Sequence, residues 1–73
     1  MINIKEVADN AEMIINGYAF TKYGEYIRVL NLNNPKKASL INKKGEVLET
    51  SMDDVEIDIV DDYYNKNRKY MEA

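Results

Sequence analysis

The chain has 73 residues and a formal net charge of −3, and 45% of its residues are hydrophobic. This length accommodates a single domain, and the hydrophobic content excludes a wholly disordered chain. Cysteine and histidine are both absent, which excludes a disulfide framework, a thiolate metal site and acid–base catalysis by histidine.

The chain carries neither of the common membrane signals. Its uninterrupted apolar runs are two or three residues long, far shorter than a membrane span. The first residues lack the basic start and the apolar stretch of a secretory signal. We therefore expect a small, soluble, cytoplasmic protein that does not associate with membranes.

The first predicted element is a helix over about residues 3–16. Asn3 is a good N-cap residue, and Glu6 follows at the spacing of a capping box. The Asn16-Gly17 pair is interpreted as the helix stop, because glycine readily adopts the left-handed conformation after a helix. Apolar residues recur at helical spacings of three and four: Ile4, Val7, Ala8, Ala11, Ile14 and Ile15.

The middle of the chain predicts four β-strands. Branched and aromatic residues alternate with turn residues there, which is typical of short antiparallel strands. The expected strands cover residues 18–21, 26–32, 37–42 and 46–50. We expect an α+β fold in one domain, in which a four-stranded antiparallel meander is flanked by an N-terminal and a C-terminal helix (α-β-β-β-β-α).

The C-terminal helix is predicted to begin at Ser51, with Asp54 three positions on, and to end near Tyr70. Acidic residues at its start and basic residues in its second half suit the helix dipole. Asp62 and Lys66 have the spacing and order of a favourable ion pair.

This helix has two neighbouring apolar stripes when residues are placed about 100° apart. The first stripe is interpreted as the one that packs on the sheet: Met52, Val55, Ile59, Tyr63 and Tyr70. The second stripe consists of Ile57, Val60, Tyr64 and Met71. The two stripes together are wider than the apolar surface that a helix on a single sheet usually buries. Two covers for the second stripe remain open, namely the N-terminal helix or another chain. Small proteins commonly gain burial by dimerisation, so we expect a homodimer.

An acidic stripe runs along the same helix. It consists of Asp54, Asp58, Asp61 and Asp62. Like charges four residues apart destabilise a helix by about 0.2–0.5 kcal/mol per pair. The stripe is either a solvated face that aids solubility or a docking surface for a basic protein partner. We expect no metal there, because carboxylates spread along a regular helix do not converge on one cation.

Other candidate sites carry weaker signals. Tyr18, Tyr23 and Tyr26 are interpreted as cross-strand packing residues. With Arg28 and these tyrosines, four lysines near turns form a less favoured nucleic-acid-binding patch: Lys36, Lys37, Lys43 and Lys44. No glycine-rich phosphate loop occurs, and nothing indicates carboxylates held in a dry pocket. We therefore expect no enzymatic activity and no cofactor.

These patterns favour a small non-enzymatic protein-interaction domain that uses the apolar and acidic faces of its C-terminal helix. One specific version is an inhibitor that presents carboxylates to a nucleic-acid-binding groove, as short acidic DNA mimics among the anti-CRISPR proteins do. Two alternatives stay open. The first is a structural or accessory domain that only self-associates, and the second, less favoured, is a nucleic-acid-binding module that uses the lysine-rich turns.

Overall fold

A computed structural model describes residues 9–71 of the chain. These residues form a five-stranded antiparallel sheet with one helix packed on one of its two faces, and the strand order follows the chain. The elements are β1 (Met13–Ile15), β2 (Tyr18–Tyr23), β3 (Tyr26–Asn31), β4 (Ala38–Asn42), β5 (Val47–Thr50) and α1 (Asp54–Met71). No helix within this range is long and apolar enough to span a membrane.

The α+β class and the antiparallel sheet are confirmed, but the predicted N-terminal helix is not. Met13–Ile15 forms the edge strand β1 and pairs antiparallel with β2. No N-terminal helix is found in residues 9–71, where only Asp9 and Asn10 have helical backbone ahead of β1. The part of the prediction that covers residues 3–8 lies outside the described residues. The sheet therefore has five strands instead of four.

The turn between β1 and β2 explains this difference. Asn16 and Gly17 have φ angles of 48° and 84°, and Ile15 pairs directly with Tyr18. This is the geometry of a two-residue type I′ hairpin turn, for which Asn-Gly is the preferred sequence. The pair that looked like a helix stop therefore reverses the chain between two strands.

The next turn is equally tight. Gly24 has a φ angle of 63°, and Tyr23 pairs with Tyr26 across the two-residue connection. A glycine at the first central position is typical of a type II′ turn. The cross-strand pairing of Tyr23 with Tyr26 is confirmed, whereas Tyr18 lies opposite Ile15 and Asn31.

The last hairpin contains a β-bulge. Ile41 pairs with Val47 and Leu40 pairs with Glu49, so Leu48 is an extra residue in β5. The Oδ1 atom of Asn42 accepts hydrogen bonds from two backbone N–H groups of the connecting turn. A bulge twists its strand locally, which makes an edge strand a poorer template for another chain.

The core lies between α1 and one face of the sheet. It is built from Phe20, Ile27, Val29, Ile41, Met52, Val60, Tyr64 and Met71, all of which are buried. In the middle row of this face, Met13, Phe20, Val29, Ser39 and Thr50 lie side by side across the five strands. The sheet thus supplies the helix with a surface that is apolar over β1 to β3 in this row and carries the hydroxyls of Ser39 and Thr50 on β4 and β5. The other face of the sheet points away from α1.

Candidate protein-interaction surface

The start of α1 is fixed by Asp53, not by Ser51 as predicted. The Oδ1 atom of Asp53 accepts a hydrogen bond of 2.9 Å from the backbone N–H of Glu56, which makes Asp53 the N-cap. Ser51 instead makes hydrogen bonds to the chain around the start of β4. Its hydroxyl donates to the carbonyl of Lys36 and accepts from the N–H of Ala38, so it ties the end of β5 to the start of β4.

One contact that fixes the rotation of α1 is made at the turn between β4 and β5. The hydroxyl of Tyr64 donates a hydrogen bond of 2.7 Å to the carbonyl of Lys43, and Arg68 donates to the same oxygen at 3.1 Å. The Tyr64 ring also stacks on Phe20, with their centroids 6.5 Å apart. The second apolar stripe is thereby turned toward the sheet.

A second set of contacts joins α1 to the first hairpin. The side-chain amide of Asn16 donates a hydrogen bond of 3.0 Å to the hydroxyl of Tyr63, whose ring lies 6.1 Å from that of Tyr18. Burial raises the pKa of the Tyr18 hydroxyl, and the charge and hydrogen bonding of Glu56 raise it further. Within the described residues, the Oε1 atom of Glu56 is buried and accepts no hydrogen bond. Glu56 therefore belongs to the inner side of the helix.

The predicted roles of the two apolar stripes are reversed. Val60, Tyr64 and Met71 are 3%, 1% and 3% exposed, and Ile57 packs against the same cluster. The stripe for which the N-terminal helix or another chain was the expected cover is therefore part of the core on the sheet of its own chain, and its three buried residues offer no surface to a second copy. Of the stripe expected to form the core, Met52 is buried and Tyr63 is half-buried. The other three residues of that stripe face solvent.

The solvent side of α1 combines apolar side chains with carboxylates. Val55 and Ile59 are 70% and 39% exposed, and Asp58 and Asp62 are exposed beside them. These four residues, which we call the outward face, are three or four positions apart and so are neighbours on the helix surface. Tyr70 extends the exposed apolar side chains toward the end of the helix. Sequence reasoning missed this surface because it placed Val55, Ile59 and Tyr70 in the core.

The four predicted acidic residues are all exposed, but they are not equivalent. Asp54 lies in the first turn, where the helix dipole favours a carboxylate. Asp62 forms the predicted ion pair with Lys66, with 3.0 Å between the carboxylate oxygen and Nζ. Asp61 lies next to Gly45 in the turn between β4 and β5. Asp58 and Asp62 are thus the carboxylates nearest the exposed apolar pair.

The lysines predicted as a nucleic-acid patch do not lie together. Lys36 and Lys37 precede β4, and Lys43 and Lys44 follow it. A strand of five residues is about 17 Å long, so the two pairs are separated by the length of β4. One of the four, Lys37, donates a hydrogen bond to the carbonyl of Ser51. Across residues 9–71, no group of three acidic side chains is placed to hold a metal ion.

A second accessible surface lies on the sheet face that points away from α1. An open groove of about 420 Å³ is lined there by residues of β2 to β5 and by Ser51. Its walls include Tyr23, Arg28, Leu40 and Glu49. Of these four residues, the sequence pattern had marked Tyr23 as a packing residue and Arg28 as part of the less favoured nucleic-acid-binding patch, but not Leu40 or Glu49. Alternation along the strands was the signal that could have placed all of them on one face.

Comparison with known proteins adds a family to this geometry. The model of a family of unknown function, DUF7723, matches residues 1–71. The chain belongs to this family. No curated protein and no solved structure matches it. The description of DUF7723 names no activity, so any function proposed for this DUF7723 protein has to be argued from its own surfaces.

Proposed function

We propose that this DUF7723 protein is a small non-enzymatic protein-interaction domain whose contact surface is the outward face of α1. The observation that carries the proposal is the exposure of Val55 and Ile59 beside Asp58 and Asp62. The helix already packs on the sheet through its other stripe. The exposed apolar pair is therefore not needed for the core, and grouped exposed apolar residues mark interaction sites.

The chemistry of the outward face favours a basic protein partner. The first half of α1, from Asp54 to Asp62, contains five acidic residues and no basic one. Carboxylates at the rim of an interface speed association and set orientation, whereas apolar side chains that become buried supply affinity. Val55 and Ile59 would thus be the anchors, and the aspartates would select a positively charged surface.

One specific form of this hypothesis is an inhibitor that covers the nucleic-acid-binding groove of its partner. Such a groove is basic because it neutralises phosphates, so it attracts carboxylates for the same reason. The net charge of the whole chain is only −3. The imitation of DNA would therefore be confined to α1.

The test compares two double variants with the same change in charge. Asp58→Lys with Asp62→Lys reverses the outward face, and Glu25→Lys with Glu46→Lys reverses two exposed carboxylates at turns of the sheet. Proteins retained by the immobilised wild-type chain from a lysate of its host are identified by mass spectrometry. Each basic candidate is then purified, and its affinity is measured by calorimetry at low and high salt.

We expect the outward-face double variant and Val55→Glu each to weaken binding at least tenfold, and the turn variant to bind as the wild type does. Binding should also weaken as salt rises, because the charges involved are exposed. Circular dichroism of each variant is used to check that it is folded. The proposal is wrong if no basic protein is retained, or if the purified partner binds the outward-face variant as tightly as the wild type.

A further inference from the structure

The sheet face that points away from α1 carries two opposite charges on one row. Arg28 on β3 pairs with Leu40 on β4, which pairs with Glu49 on β5. Neighbouring strands are about 4.8 Å apart, so the Cα atoms of Arg28 and Glu49 are separated by about 10 Å, with Leu40 midway. All three residues line the same groove.

Both charges are available to another molecule. Arg28 and Glu49 are exposed, and within the described residues neither has an ion-pair partner. The guanidinium of Arg28 instead lies over the ring of Tyr23, 5.9 Å from its centroid. A planar guanidinium held against an aromatic ring loses less freedom when a carboxylate approaches it.

Apolar and aromatic side chains surround these charges. Tyr23 and Tyr26 form a cross-strand pair at one end of the face and are 62% and 43% exposed. Leu40, between the two charges, is half-buried. At the other end of the face, Ala19 and Leu30 are already buried. The accessible part thus combines tyrosines, an arginine and a leucine, and aromatic residues and arginine are enriched in protein interfaces.

We propose that this face binds the same face of a second copy of the chain. The argument is charge complementarity about a two-fold axis. An axis that runs parallel to β4 and passes over Leu40 places Arg28 of each copy opposite Glu49 of the other, with the two Leu40 side chains between them. An in-plane axis across the strands would instead place Arg28 against Arg28. The charges therefore select the first arrangement, in which each attractive contact occurs twice.

This dimer does not depend on the proposed function, because it uses the other side of the molecule. The sheet lies between α1 and the dimer face, so both outward faces stay accessible in the dimer. It also replaces the dimer predicted from the sequence, whose contact stripe is buried in the core. Loss of the dimer and loss of the basic partner are measured with different variants, so either proposal can fail alone.

The test is a charge exchange followed by sedimentation equilibrium between 10 µM and 500 µM. We expect the wild type to sediment as a dimer of 8.5 kDa chains. Arg28→Glu alone and Glu49→Arg alone should each weaken dimerisation at least tenfold, because each turns two attractive contacts into two repulsive ones. The double variant should recover the dimer, and a mixture of the two single variants should form a heterodimer.

Two matched variants serve as controls for charge alone. Lys36→Glu and Glu25→Lys make the same changes in charge at exposed positions outside the groove, and we expect both to remain dimeric. Three results would overturn the proposal: a monomeric wild type at 500 µM, single reversals that leave the dimer intact, or reversals that are not rescued by each other. Circular dichroism of each variant separates loss of the dimer from loss of the fold.

Discussion

The rotation of α1 leads to a sharp prediction about two valines on the same helix. Val60 is 3% exposed and belongs to the core cluster, whereas Val55, five residues earlier, is 70% exposed. The helical wheel drawn from the sequence assigns the core position to Val55 instead. Replacing each valine with alanine removes the same atoms from two different environments, and this makes the pair a matched comparison.

The expected magnitudes differ by about 2 kcal/mol. At Val60, the loss of two buried methyl groups costs about 0.8 kcal/mol each, and the remaining cavity brings the total to about 2 kcal/mol. At Val55, little buried area is lost, so the free energy of unfolding falls only slightly. The better helix propensity of alanine raises it by about 0.5 kcal/mol. A chain of this length has a free energy of unfolding of roughly 4–11 kcal/mol, so the change at Val60 is a large fraction of it.

Urea unfolding followed by helical circular dichroism measures both changes. For a small protein the free energy of unfolding falls by about 1 kcal/mol per molar urea. Val60→Ala should therefore lower the midpoint by about 2 M, and Val55→Ala should leave it unchanged or raise it slightly. Equal losses at the two positions, or a larger loss at Val55, would refute the packing of α1 described here.

Three further predictions concern the first hairpin and the helix surface. Gly17→Ala should lower the free energy of unfolding, measured in urea, by about 1–2 kcal/mol, because a φ of 84° disfavours a side chain. The added Cβ would also lie 2.7 Å from Nδ2 of Asn33. An unchanged free energy of unfolding would contradict the type I′ turn. The pKa of Tyr18 is raised above its ordinary value of 10.0, so the folded state keeps this proton to higher pH than the unfolded state does. The stability from this shift is complete below pH 10 and is lost as pH rises through the folded-state pKa. Tyr18→Phe should therefore flatten the decline in thermal stability at alkaline pH. An identical decline in the variant and the wild type would show that Tyr18 does not cause it. Asp62→Asn should cost only about 0.3–0.5 kcal/mol, measured by urea unfolding at low salt, because its pair with Lys66 is exposed; a loss above about 1 kcal/mol would show a larger role.

The strands from Tyr18 onward follow from local chemistry, which is why the sequence predicts them. Branched and aromatic runs such as Tyr26–Asn31 are bounded by turn residues, and each strand pairs with the next one along the chain. The helix after Thr50 is also predictable, because its apolar spacing and dipole-compatible charges agree. Its N-cap was misplaced by two residues, since Ser51 and Asp53 are both good capping residues.

The first hairpin and the orientation of the helix were not predictable from the same patterns. Met13-Ile14-Ile15 fits a helix and a strand equally well, and only the Asn16-Gly17 turn decides between them. On α1, two apolar stripes are side by side, and a helical wheel does not rank them. The choice depends on tertiary contacts, such as the hydrogen bond from Tyr64 to the Lys43 carbonyl.

The candidate surfaces were predictable only in part. The acidic residues are exposed as expected, because unpaired carboxylates are rarely buried. The apolar residues beside them were misassigned together with the helix rotation. Prediction of the groove around Arg28 requires the register of three strands, including the bulge at Leu48. A bulge has no reliable sequence signal.

The order of the strands has a consequence for how the chain folds. Every pairing in the sheet joins consecutive strands through a short connection, so the entropy lost in closing each loop is small. Proteins built from such nearby pairings have low contact order and fold quickly. We therefore expect the hairpins to form early and to join into the sheet, with the docking of α1 as the principal distant event of folding.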